Sequence, residues 1–181
     1  NDKECKMMEK KYELVNYNKK TSLWQISALR SFNDVKAGDL GGWIEKEFNL
    51  SHIGDCWVYD NAKVYDNAKV YDNARVYDNA RVYDNAKVIE NANVYGDAKV
   101  GGKAMIYGKA LVYCNAEVYG NAKVCGNAVV AEEHRICYLR LDCDITDRKN
   151  KIQSIQCQTN LGIINNEVYC YKVVCDDLTS L

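Results

Sequence analysis

Residues 58–88 read VYDNAKVYDNAKVYDNARVYDNARVYDNAKV, one six-residue word written five times. Working outward, an aliphatic residue recurs at every sixth position from Val58 through Val64, Val70, Val76, Val82, Val88, Val94, Val100, Ile106, Val112, Val118 and Val124 to Val130. A small residue stands two before each, from Cys56 through Ala62 and Ala68 to Ala128. A helix does not fit this period. Each step would turn the valine by about 240° around the wheel, so the valines would fall on separate stripes. A strand fits locally: in Ala-Lys-Val-Tyr, alternation sends Ala and Val to one side, Lys and Tyr to the other. The pair Asp-Asn or Gly-Asn then breaks the strand. Asp offers side-chain hydrogen bonds, and Asn and Gly tolerate left-handed backbone.

Successive short strands could form hairpins, but two-residue hairpin corners favour glycine, which the first five corners lack. A solenoid satisfies the pattern instead. Each strand pairs with its equivalent one coil away, and the small Ala and larger Val fill a narrow interior. The word V-Y-D-N-A-K resembles the hexapeptide repeat, and that resemblance covers Cys56 to Ala131 without an insertion. It implies an all-β fold: a triangular parallel β-helix, left-handed, with three hexads or about 18 residues per coil. Small β caps are expected at both ends. The expected division is 1–48 leader and cap, 49–131 β-helix, and 132–181 an antiparallel β segment with turns near Asp147–Lys151 and Asn165–Asn166.

Sorted by three, the hexads give three faces. Face one shows Lys63, Arg81, Lys99 and Glu117; face two shows Lys69, Lys87, Met105 and Lys123. Face three shows Trp57, Arg75, Asn93, Leu111 and Val129, accompanied by Tyr59, Tyr77, Tyr95 and Tyr113. Face three alone keeps an unbroken tyrosine ladder and loses its charge after Arg75. An apolar strip with a polar rim marks an interface. The binding surface is therefore expected at Trp57, Tyr59, Tyr77, Tyr95, Leu111, Tyr113 and Val129. The partner expected there is a second copy of the chain, a homotrimer being common among hexapeptide proteins.

Net charge is −1, which argues against a nucleic-acid or membrane footprint. No apolar run of membrane length or signal-peptide pattern occurs, so a cytoplasmic location is expected. The nine cysteines show no Cys-x-x-Cys pair, and the two histidines cannot complete a three-histidine zinc site. No metal and no cofactor are expected, and the cysteines read as reduced thiols. Hexapeptide proteins are often acyltransferases with a catalytic histidine. Here His52 precedes the first full hexad and His134 follows the last, outside the repeat grid. Gly38–Gly42 lacks the Gly-Lys-Ser/Thr ending of a phosphate loop and reads as a tight turn. The corner carboxylates Asp60, Asp66, Asp72, Asp78 and Asp84 alternate with Lys63, Lys69, Arg75, Arg81 and Lys87, giving a self-neutralising surface.

The leader, Asp39-Leu-Gly-Gly-Trp-Ile-Glu45 followed by Asn49-Leu-Ser51 and Cys56-Trp-Val-Tyr-Asp-Asn-Ala62, resembles uncharacterised hexapeptide-repeat proteins of bacteria and their phages. The combined expectation is a non-enzymatic binding or scaffold protein. The leader adds a narrower version: a phage or mobile-element protein that binds a host-defence component or sequesters its nucleotide signal. The alternative is a hexapeptide acyltransferase using an acyl-CoA donor.

Overall fold

The computed structural model describes residues 9–131 and the backbone of four further short strands, Arg135–Ile136, Arg140–Leu141, Gly162–Ile164 and Glu167–Tyr169. The expected turns at Asp147–Lys151 and Asn165–Asn166, and His134, lie outside the described residues.

Each hexad contributes a two-residue strand, from Trp57–Val58 to Val129–Val130. From Trp57–Val58 to Glu117–Val118 each strand pairs in parallel with the one 18 residues on: Trp57 faces Arg75, Arg75 faces Asn93, Asn93 faces Leu111 and Leu111 faces Val129. The same offset holds on the other faces, Lys63 opposite Arg81 and Lys69 opposite Lys87. The result is an all-β solenoid of three sheets and about five turns, its coils about 18 residues long. Parallel pairing continues beyond the repeat, with Arg135–Ile136 against Glu117–Val118 and Arg140–Leu141 against Lys123–Val124. Gly162–Ile164 and Glu167–Tyr169 pair antiparallel.

The interior is one column of stacked side chains. Ala62 to Ala128 and Val64 to Val124 are all wholly buried. Identical residues meet in register, so each coil presents the next with the shape it needs. Burying each valine contributes roughly 1.5–3 kcal/mol. The alanines keep the shaft narrow, and a longer chain there would overpack it.

The corners differ from expectation in one respect. The left-handed position belongs to the first residue of the corner, not to the asparagine: Asp60, Asp66, Asp72, Asp78, Asp84 and Glu90 have φ of 50 to 59°. The following Ala N–H closes the turn on the tyrosine carbonyl, as from Ala62 to Tyr59. A carboxylate at this strained position has a second use. Asp60 accepts the backbone N–H of Asp78, Asp66 that of Asp84, and Asp78 that of Gly96, each one coil ahead. The carboxylates are thus tied to the backbone as well as facing solvent. Later corners use Gly96, Gly102, Gly108, Gly120 and Gly126 at φ of 64 to 72°, without a side chain, and Cys114 at 56°.

The leader forms an antiparallel meander, β1 (Tyr12–Asn18), β2 (Leu23–Ala28) and β3 (Leu40–Ile44). β3 then pairs in parallel with Lys63–Val64, which seats the meander on the start of the solenoid. Tyr12, Ile26, Ile44, Leu50 and Trp57 pack there as the plug of the shaft. The glycine-rich segment is only partly a turn. Gly38 turns the chain, whereas Gly41 and Gly42 lie inside β3. A Cβ on Gly41 would press on Ile26, Trp57 and the Val58 carbonyl, and one on Gly42 on the Ala62 and Tyr59 carbonyls. Close backbone approach requires these glycines. Among the described residues, no helix is long and apolar enough to cross a membrane.

Candidate functional site

Face three is continuous, but its rungs differ. The first is covered by the chain itself. Trp57 is only 1% exposed, with Phe32 edge-on at 5.3 Å and Tyr12 at 6.1 Å between ring centres. This corrects the expectation that Trp57 is a surface contact: the leader loop around Phe32 folds over it. That loop also reaches the second rung. Asp34 accepts from the Tyr59 hydroxyl at 3.0 Å and pairs with Arg75 at 3.4 Å.

Beyond this loop the ladder is open. Tyr77, Tyr95 and Tyr113 stack face to face at 4.8 Å, with ring planes within 3° and 5° of parallel. Tyr59 meets Tyr77 edge-on at 6.3 Å. The spacing of the stacked rings is the strand spacing of the coils, so the ladder follows from register alone. Leu111 and Val129 are half-buried beside it. The structure therefore brings Tyr59, Tyr77, Tyr95, Leu111, Tyr113 and Val129 onto one face and removes Trp57 from it.

A polar depression of about 380 Å³ lies on the other margin of the face, lined by Asn33, Asp55, Asn73, Arg75, Asn91 and Asn93. The asparagines bond among themselves: the Asn73 amide donates to Asn91 at 3.3 Å, and Asn93 donates to the Asn91 carbonyl. Sequence reasoning placed Asn93 on face three but passed over Asn73 and Asn91, because as corner residues they read only as turn formers.

His52 is held in the cap. Its Nδ1 accepts the Lys11 backbone N–H at 3.1 Å, so the ring proton sits on Nε2, which donates to Glu47 at 2.9 Å. Tyr12 stacks on the imidazole at 4.3 Å. Hydrogen bonds from Lys10 and then His52 hold the Glu47 carboxyl below its usual range. With both nitrogens engaged, His52 has no free lone pair to take a proton from a substrate.

Burial pushes the phenols of Tyr12, Tyr59, Tyr65, Tyr71, Tyr77, Tyr83 and Tyr95 above their ordinary value of 10.0. A raised pKa in the folded state makes a stability contribution that is full below pH ~10 and lost as pH rises through the folded values. Lys11 acts oppositely: burial lowers its pKa, so its contribution improves up to its unfolded value of 10.5. The Cys56 thiol, also raised by burial, acts with the phenols, so eight groups against one decide the sign. The melting temperature is expected to fall steeply above about pH 10, with tyrosinate absorption appearing together with unfolding. Tyrosinate titrating fully at pH ~10 without loss of fold would contradict this.

The YdcK β-solenoid repeat model matches residues 68–83 and 74–96. These are the coils that carry the repeated word and the middle of the tyrosine ladder. The repeat is a hexapeptide-repeat β-helix. The chain is also similar to a protein of Escherichia coli (strain K12) called the uncharacterized acetyltransferase YdcK, 43% identical over 53 residues. That stretch is 29% of this chain and 16% of the relative, so the chain spans a small part of that protein's length. This similarity overturns the expectation of a protein without enzymatic activity: the relative's name points toward acyl transfer.

Proposed function

We propose that the chain is the rigid solenoid scaffold of an acyltransferase-type protein, and that face three packs against a second copy of the chain. The observations that carry the reading are the match of residues 68–83 and 74–96 to the YdcK β-solenoid repeat model and the 53-residue similarity to the acetyltransferase relative. The geometry supports the choice of face. The stacked Tyr77–Tyr95–Tyr113 column with Leu111 and Val129 is a half-buried, largely apolar strip along one face of the solenoid. His52, locked between Lys11 and Glu47, is not the acyl-transfer base in this reading. The host-defence reading rests on the wording of the leader alone and gains no support from the fold or the relative.

Two measurements test the two parts. Calorimetric titration with acetyl-coenzyme A is expected to show saturable binding, and absence of binding at millimolar ligand would overturn the acyltransferase part. For the face, light scattering compares Leu111→Glu with Lys69→Glu. In a packed interface the new carboxylate at Leu111 is desolvated without a partner and costs about 2–5 kcal/mol of association. Leu111→Glu should therefore lower the mass in solution, while Lys69→Glu on face two keeps it. A folded Leu111→Glu protein with the parent mass would exclude face three as the self-association surface.

A further inference from the structure

Lys11 immediately precedes β1 and is wholly buried. Its Nζ donates to the carbonyl of Cys56 at 2.8 Å, to the carbonyl of Gly54 at 3.2 Å and to Cys56 Sγ at 3.3 Å. The Phe32 ring lies 5.1 Å from the same nitrogen. Among the described residues no carboxylate forms an ion pair with it. A neutral amine has two N–H bonds and one lone pair. In the ammonium form the third N–H is the one given to sulfur; in the neutral amine the two carbonyls keep the N–H bonds and the lone pair takes that third position, 3.3 Å from Sγ. Burial favours that neutral form by lowering the lysine pKa, and it keeps the Cys56 thiol protonated by raising its pKa. Cys56 is also wholly buried, beneath a segment that carries an exposed residue. Its Sγ lies within 3.5 Å of the Ser51 carbonyl and 3.8 Å of the Ile53 carbonyl, in a bend whose Ile53 is 64% exposed.

We propose that Lys11 and Cys56 are a covalent modification site, where a hydroperoxide oxidant drives a reversible Nζ–Sγ cross-link. In the first step a peroxide oxygen bonds to Sγ, the O–O bond breaks, and the thiol proton leaves Sγ to join the departing hydroxide. With hydrogen peroxide, one water leaves and Cys56 becomes a sulfenic acid. Sulfenic acids condense with nitrogen nucleophiles held against them. In the second step the Nζ lone pair attacks Sγ and the S–O bond breaks. The departing hydroxide takes a proton from Nζ and leaves as a second water. The protein has lost two hydrogens, two electrons having passed to the peroxide. A small thiol reverses the link by attacking sulfur, which returns the amine and then the free cysteine. The link would join positions 45 residues apart and fasten the leader to the first coil.

The test treats the folded full chain with hydrogen peroxide, blocks remaining thiols, digests without reductant and reads the peptides by mass spectrometry. The expected product is a joined pair carrying Lys11 and Cys56, about 2 Da lighter than the sum of its parts and separated by dithiothreitol. The same treatment in urea should give no joined pair, because the two residues are then no longer neighbours. In Lys11→Met, Cys56 should proceed to sulfinic acid unlinked. Cys114, an exposed thiol, serves as the internal measure of oxidant delivered. Recovery of Cys56 only as unlinked oxygen adducts in the folded parent overturns the proposal. So does recovery of Cys56 unmodified once Cys114 is fully oxidised.

Discussion

Val94→Asp is expected to leave no cooperatively folded protein. Val94 is wholly buried and sits in register between Val76 and Val112, in the middle of the shaft. An aspartate there has interior methyl groups above and below it. It must either bury an unpaired carboxylate or take up a proton and still leave its oxygens without partners, and both are costly. The loss of valine burial, roughly 1.5–3 kcal/mol, adds to this. Domains of this size are stable by only about 5–15 kcal/mol in total. A solenoid also propagates its order from coil to neighbouring coil, so a break at the centre separates the capped end from the rest. Circular dichroism and calorimetry should show no single unfolding transition. Val94→Thr, close in shape but carrying one hydroxyl, should retain a lowered transition. A Val94→Asp protein melting like its parent would be incompatible with the inward register.

Gly54→Ala has the second largest expected effect. Gly54 has φ +73°, and a Cβ there would drive into the backbone carbonyl of Asp72. That carbonyl accepts the Cys56 N–H at 2.8 Å, and the Gly54 carbonyl accepts from Lys11. Left-handed strain costs about 1–3 kcal/mol, and an immovable backbone contact adds a similar amount. Gly38→Ala separates the two contributions: its φ is +91°, yet nothing lies within 4 Å of its added Cβ. Urea unfolding should therefore show Gly54→Ala losing about 3 kcal/mol or more, and Gly38→Ala only the strain. Equal losses would mean that the contact with the Asp72 carbonyl is unimportant.

The six-residue period was enough to decide what each hexad does. Every repeat position meets its own counterpart one coil away, so the rules for one coil are the rules for all. The inward column of Ala and Val, the sorting of Lys63, Lys69 and Arg75 onto separate faces, and the tyrosine ladder at Tyr77, Tyr95 and Tyr113 are consequences of register. The 18-residue offset came from the resemblance to hexapeptide repeats, and the strand pairing bears it out. At the corners the sequence identified turns but misplaced the left-handed residue. The deciding interaction, from the Asp60 carboxylate to the Asp78 amide, crosses to the next coil.

Contacts without a period were decided by tertiary structure alone. Trp57 looks like the first rung of an exposed face, yet Phe32, from a leader with no repeat, closes over it. His52 stood outside the grid with its role undetermined, and its two nitrogens are occupied by Lys11 and Glu47. Lys11 and Cys56 meet from 45 residues apart, and nothing in either one's local sequence refers to the other. A repeat encodes its neighbours because each neighbour is a copy of itself. A cap is a unique set of long-range contacts, fixed only when buried polar groups must find partners in a space already shaped by the first coil.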